Sequence, residues 1–121
     1  MNLTNIKKVC FFCIFIILLV VSSVHYLNRG IMTEEVAIKQ SQEFLKVINT
    51  HKNIDYDLNN VNNAWVDESG FQRILGQRWH ITIDNIYIEI NAINGEFIKA
   101  IFPLEGIVTK QEYKKIKGYV N

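Results

Sequence analysis

Histidines and acids are the side chains most able to carry chemistry here, and the histidines are three: His25, His51 and His80. No two stand four apart and no His-Glu-x-x-His occurs, so a zinc centre would need ligands converging from distant segments. Asp55, Asp57 and Asn59 have the spacing of the first three ligands of a calcium loop. Asn60 replaces the glycine that loop needs, however, and Val66 stands where a bidentate Glu must be, so the stretch reads as a solvated loop. There is no nucleophile elbow, glycine-rich phosphate loop, dinucleotide fingerprint or close carboxylate pair on a strand. The expectation is a protein that is not an enzyme, with no catalytic, cofactor-binding or metal-binding residues and no cofactor.

The remaining polar side chains of interest are grouped by an alternating pattern. Trp79, Ile81 and Ile83 alternate with His80, Thr82 and Asp84, and Ile86, Ile88 and Ile90 alternate with Tyr87, Glu89 and Asn91. A two-residue turn at Asp84-Asn85 pairs Ile83 with Ile86, Ile81 with Ile88 and Trp79 with Ile90, placing six apolar side chains on one face. The next turn contains Asn94-Gly95. A three-residue loop with Gly95 left-handed pairs Ile90 with Ile98 and Glu89 with Lys99, whereas a two-residue loop would set Lys99 against the core. The first register is preferred. It forms a His80, Glu89, Lys99 row on the outer face, His80 being an exposed strand residue opposite Glu89, and adds Tyr87, Phe97 and Ile101 to that face. These six residues are the candidate partner surface, and Asn94 and Gly95 the structural turn.

Other elements must support this sheet. Thr33-Glu34-Glu35 has the form of an N-cap followed by acids, and Ala37, Ser41, Phe44 and Ile48 recur at helical spacing, predicting a helix from about Thr33 to Thr50. Residues His51 to Asn63 read as a polar connection, Ala64 to Asp67 as a first strand, and Ser69-Gly70 as a turn into β structure from Phe71. Trp65 and Trp79 are expected in the core. Pro103 ends the last strand, and Thr109 with Glu112 has capping-box spacing before Tyr113, Ile116 and Tyr119, so a short C-terminal helix follows. The fold class is α+β: helix, three or four antiparallel strands, helix. Either the C-terminal helix covers Tyr87, Phe97 and Ile101, the slightly preferred reading, or a partner does.

Before this domain, Val9 to Leu27 is apolar except for Ser22, Ser23 and His25, long enough as a helix to span most of a bilayer core of about 30 Å. Lys7 and Lys8 precede it, and none of the first thirty residues is acidic, so residues 1–8 are expected in the cytoplasm and residues 33–121 outside it. The uninterrupted apolar run, Val9 to Val21, also has the length of a signal-peptide core, and Val21-Ser22-Ser23 offers a cleavage context. Retention as a single-pass anchor is preferred, with secretion following if the segment is removed. Cys10 and Cys13 both lie in the apolar helix, leaving no disulfide in the exported part. Three of the thirteen Lys and Arg residues precede Gly30 and all twelve acids follow it, so the remainder carries a net charge of minus two. That balance argues against nucleic acid as a partner.

The helix start Thr33-Glu34-Glu35, the strand Trp79-x-Ile81-x-Ile83 and the closing hairpin Asn91-Ala92-x-Asn94-Gly95-Glu96-Phe97-Ile98 together resemble the PepSY domain, over about Thr33 to Ile101. Asn91 stands where that family usually has Asp, and Asn94 where it has Thr, and both keep a side chain able to bond the turn backbone. The resemblance implies a small extracytoplasmic module that regulates or inhibits an envelope or secreted peptidase. PepSY modules also occur in propeptides of thermolysin-like metalloproteases, in spore germination proteins and in membrane-anchored envelope proteins. An alternative is a structural or assembly protein of the bacterial cell envelope, concerned with wall growth or germination, whose membrane helix makes the contact.

Overall fold

The computed structural model of the chain describes residues 2–120, with side chains as far as Gly118. It divides into two compact units, one ending at Gly30 and the other beginning at Ile31.

The first unit is a single helix, α1 (Leu3–Leu27), capped by the Asn2 side chain, which accepts from the Asn5 amide at 2.9 Å. It begins six residues before the apolar run because nothing in Leu3 to Lys8 breaks a helix, so Lys7 and Lys8 ride on its first turns. None of its residues is buried, and it is long and apolar enough to cross a membrane.

The second unit opens with α2 (Glu34–Lys52). Thr33 caps it by accepting from the Val36 amide at 3.3 Å, Glu34 and Glu35 occupy the first turn, and Asn53 ends it in the left-handed conformation. Five strands follow, β1 (Val61–Val66), β2 (Arg78–Ile83), β3 (Ile86–Asn91), β4 (Phe97–Phe102) and β5 (Gly106–Thr109), forming one antiparallel sheet in the order of the chain. A short helix, α3 (Gly70–Leu75), joins β1 to β2, and α4 (Lys110–Val120) closes the chain.

The β2–β3 hairpin has the register expected, Ile83 with Ile86, Ile81 with Ile88 and Trp79 with Ile90. Asp84 and Asn85 both take positive φ, 49° and 65°, as a two-residue turn matching strand twist requires. Asp84 also receives hydrogen bonds from the Asp57 amide (2.8 Å) and the Asn60 amide group (3.0 Å), which hold its carboxyl below its ordinary pKa and tie the turn to the α2–β1 loop.

The β3–β4 connection is partly as expected. Glu89 pairs with Lys99, and Gly95 is left-handed at φ +74°. Asn91 accepts from the amides of Ile93 and Asn94 through its side chain, and Asn94 accepts from Glu96, so both asparagines bond the turn. The register shifts between Glu89 and Ile90, however, so that Ile90 faces Phe97 and not Ile98. This bulge rotates Phe97 onto the inner face, where only 4 % of it is exposed. A Cβ at Gly95 would lie 3.2 Å from the Met32 methyl, and φ there resists β-branching. Gly95→Val is therefore expected to destabilise the second unit by more than about 1 kcal/mol, read as a lowered midpoint in a thermal melt.

Both long helices of this unit pack on one side. Ala37, Phe44, Leu45 and Ile48 of α2, with Tyr113 and Ile116 of α4, close over the isoleucines of β2 and β3, Phe102 of β4 and Val108 of β5. Phe44, Phe97 and Tyr113 meet ring against ring, with centroids 4.7–5.3 Å apart. One expectation fails here. The C-terminal helix covers the inner face and so does not cover Tyr87 and Ile101; Thr109 still caps it, accepting from the Glu112 amide at 3.2 Å. Tyr119, counted among its apolar residues, has its side chain outside the described part. The fifth strand, which occupies the segment after Pro103, and α3, capped by Ser69 where a turn was expected, both add to the predicted order.

Candidate functional site

With both helices on the inner face, the outer face of the sheet carries the side chains at alternate positions: Trp65 of β1, Arg78 and His80 of β2, Tyr87 and Glu89 of β3, Lys99 and Ile101 of β4, and Ile107 of β5. Of the predicted surface, His80, Tyr87, Glu89, Lys99 and Ile101 come together and Phe97 does not.

His80 is not the exposed residue expected, being only 7 % accessible, because the Trp65 ring stacks on its imidazole at 3.8 Å and 13°. Trp65 for its part is not in the core: 52 % of it is exposed. Trp79 is the buried tryptophan, its indole N–H donating to the Met32 carbonyl at 3.1 Å.

Beneath Trp65 runs a chain of polar contacts. Both Asp67 carboxylate oxygens lie 3.2 Å from His80 Nε2, His80 Nδ1 contacts the Tyr87 hydroxyl, and that hydroxyl donates to Glu89 Oε1 at 3.0 Å. Arg78 and Lys99 stand 3.7 and 3.6 Å from Glu89 Oε2, which among the described residues has no hydrogen bond of its own. Among the described residues the cluster orients Trp65, while offering no nucleophile beside a base and no donors converging on an open point. Among the described residues no group of His, Cys, Asp and Glu is placed to hold a metal ion.

Burial, and then the Glu89 carboxylate, push the Tyr87 hydroxyl far above its ordinary pKa. In the unfolded chain tyrosine ionises near pH 10, so the folded state alone keeps this proton above that pH. The contribution is complete below pH about 10 and falls as the pH climbs past it. The melting temperature of the wild type is expected to fall more steeply between pH 9 and 11 than that of Tyr87→Phe. Parallel slopes would contradict the burial of the Tyr87 hydroxyl beside Glu89.

Three of the site's residues, Trp65, Asp67 and Arg78, are not legible as such in the sequence. Trp65 was expected to point inward, but Val66 pairs with core-facing Trp79 and Trp65 therefore with His80. No tight turn links β1 to β2, so no local signal sets that parity.

No protein-family model matches the chain, and neither the curated proteins nor the solved structures give a match.

Proposed function

We propose that this chain is a membrane-anchored binding module whose folded unit lies outside the cytoplasm and engages a protein partner through the outer face of its sheet. The observation that carries the reading is a sheet face left uncovered by the described residues of the second unit, on which Trp65, Ile101 and Ile107 are 52, 39 and 58 % exposed beside an ordered, charged cluster. Tryptophan and arginine around an apolar centre are the composition of a binding hot spot. Anchorage rests on α1, and the orientation on Lys7 and Lys8 against an N-terminal segment without acids. The partner we favour is an envelope or secreted peptidase, restrained or regulated by the module. That choice rests on the resemblance of the Thr33 to Ile101 segment to PepSY domains.

Photo-crosslinking from position 107 in intact cells tests it. A peptidase is the expected product, and Ile101→Asp, on the neighbouring strand of the same face, is expected to reduce its capture by about tenfold or more while the melt stays within about 1 kcal/mol of wild type. Undiminished capture would remove the outer face from the interface. Exchanging α1 for an unrelated membrane helix separates this reading from an assembly role of α1: activity that survives the exchange resides in the folded unit, and activity that does not resides in the helix.

A further inference from the structure

The chain enters the second unit at Met32, whose amide donates to the Ala92 carbonyl at 2.8 Å and whose carbonyl accepts from the Trp79 indole. The Ala92 amide in turn donates to the Gln77 carbonyl at 3.0 Å, and the Gln77 side chain donates to the Asp67 carbonyl at 2.8 Å. The entry point therefore lies at the end of the sheet where β1 stops, β2 starts and β3 stops, which is also the end that carries α3. The turns at Asn85 and at Leu104 lie at the opposite end.

α3 presents Phe71, Ile74 and Leu75 at i, i+3 and i+4 on one helical face, and they are 67, 58 and 65 % exposed. Its ends are fixed: the Ser69 hydroxyl accepts from the Gln72 amide at 3.2 Å, and the Gly76 amide donates to the Gln72 carbonyl at 2.7 Å. An apolar face this exposed adds nothing to the core and is opposed by water. What meets it follows from the covalent chain. The apolar run of α1 ends at Leu27, and the five residue steps from there to Met32 span about 18 Å at most. Resting on the reading of α1 as a membrane anchor, we infer that α3 is a second, interfacial membrane contact, with Phe71, Ile74 and Leu75 entering the boundary between headgroups and acyl chains of the same bilayer. Glu34, Glu35 and Glu68 flank this end along with Arg73 and Arg78, so the attraction is apolar and not to anionic headgroups. Contact through an end of the sheet leaves its outer face open to a partner.

Nuclear magnetic resonance of the full chain in phosphatidylcholine nanodiscs, with a nitroxide on the lipid acyl chains near the glycerol, tests the contact. The amide signals of Phe71, Ile74 and Leu75 are expected to broaden together with those of residues 14–21 in α1, while Asn85 and Leu104 at the far end keep their intensity. Phe71→Ser/Leu75→Ser, at exposed positions outside the core, is expected to cut the broadening at Ile74 by about threefold or more without moving the Trp79 amide signal. Broadening in α1 with α3 unaffected overturns the inference and leaves the anchor standing, and a crosslink from position 75 to a protein in intact cells would then assign the face to that protein. No broadening in α1 removes the anchor, and the inference with it. Equal broadening at α3 and at the far end, or an undiminished effect in the serine variant, overturns the inference as well.

Discussion

Phe97→Ala is expected to cost the second unit about 3–5 kcal/mol, the usual range for deleting a buried phenyl ring. The ring is 4 % exposed and meets Phe44 at 5.3 Å and Tyr113 at 4.7 Å, so its removal opens a void shared by α2, α4 and the sheet. Neither helix can move into that space without losing its other contacts, since Leu45 and Ile48 of α2 and Ile116 of α4 are held in the same core. Against a total of about 5–15 kcal/mol for a domain, such a loss leaves little. Phe97→Asp would add an unpaired buried charge and is expected to leave the unit unfolded. Urea unfolding of the detergent-solubilised chain, followed by tryptophan fluorescence, measures the first, and far-ultraviolet circular dichroism the second. An alanine variant within about 1 kcal/mol of wild type would place Phe97 back on the outer face.

The same residue marks where the sequence stops being readable. The β2–β3 hairpin is legible because strict alternation on both strands and a two-residue turn leave one register that buries all six apolar side chains. The Glu89–Lys99 pairing and left-handed Gly95 are legible for the same reason. The bulge after Glu89 is not, because the choice between Ile98 and Phe97 opposite Ile90 depends on whether an aromatic gap exists between Phe44 and Tyr113, helices distant in sequence from the strand. The candidate site divides in a similar way. His80, Glu89 and Lys99 line up by parity alone, whereas burial of His80 depends on Trp65 and Asp67, which reach it across a connection containing α3. α3 itself spans only six residues, too few to show helical periodicity, and its Phe71, Ile74 and Leu75 are all exposed, so the apolar signal there read as strand.

Ending the chain after Pro103 is expected to abolish folding of the second unit, since this removes β5 and α4 together. Val108, Tyr113 and Ile116, at 0, 7 and 3 % exposure, leave the core, and full burial of three such side chains is worth about 5–9 kcal/mol at about 1.5–3 kcal/mol each. Nothing replaces them. Phe44, Phe97 and Phe102 lose their cover, and β4 becomes an unpaired edge open to other chains. Had α4 lain on the outer face, the inner core would have survived the cut, with only Tyr87 and Ile101 uncovered and a smaller loss. Dissecting the deletion identifies the cause: Tyr113→Ala and Ile116→Ala, each in the full-length chain, are expected to cost about 2–5 kcal/mol apiece and to be felt at Trp79, whereas Ile107→Ala on the outer face should change stability by less than about 1 kcal/mol. Limited proteolysis and melts of the three variants would show the order. A truncated chain that still melted cooperatively at the wild-type temperature would mean that α4 does not close the core, and would return the outer face to that helix.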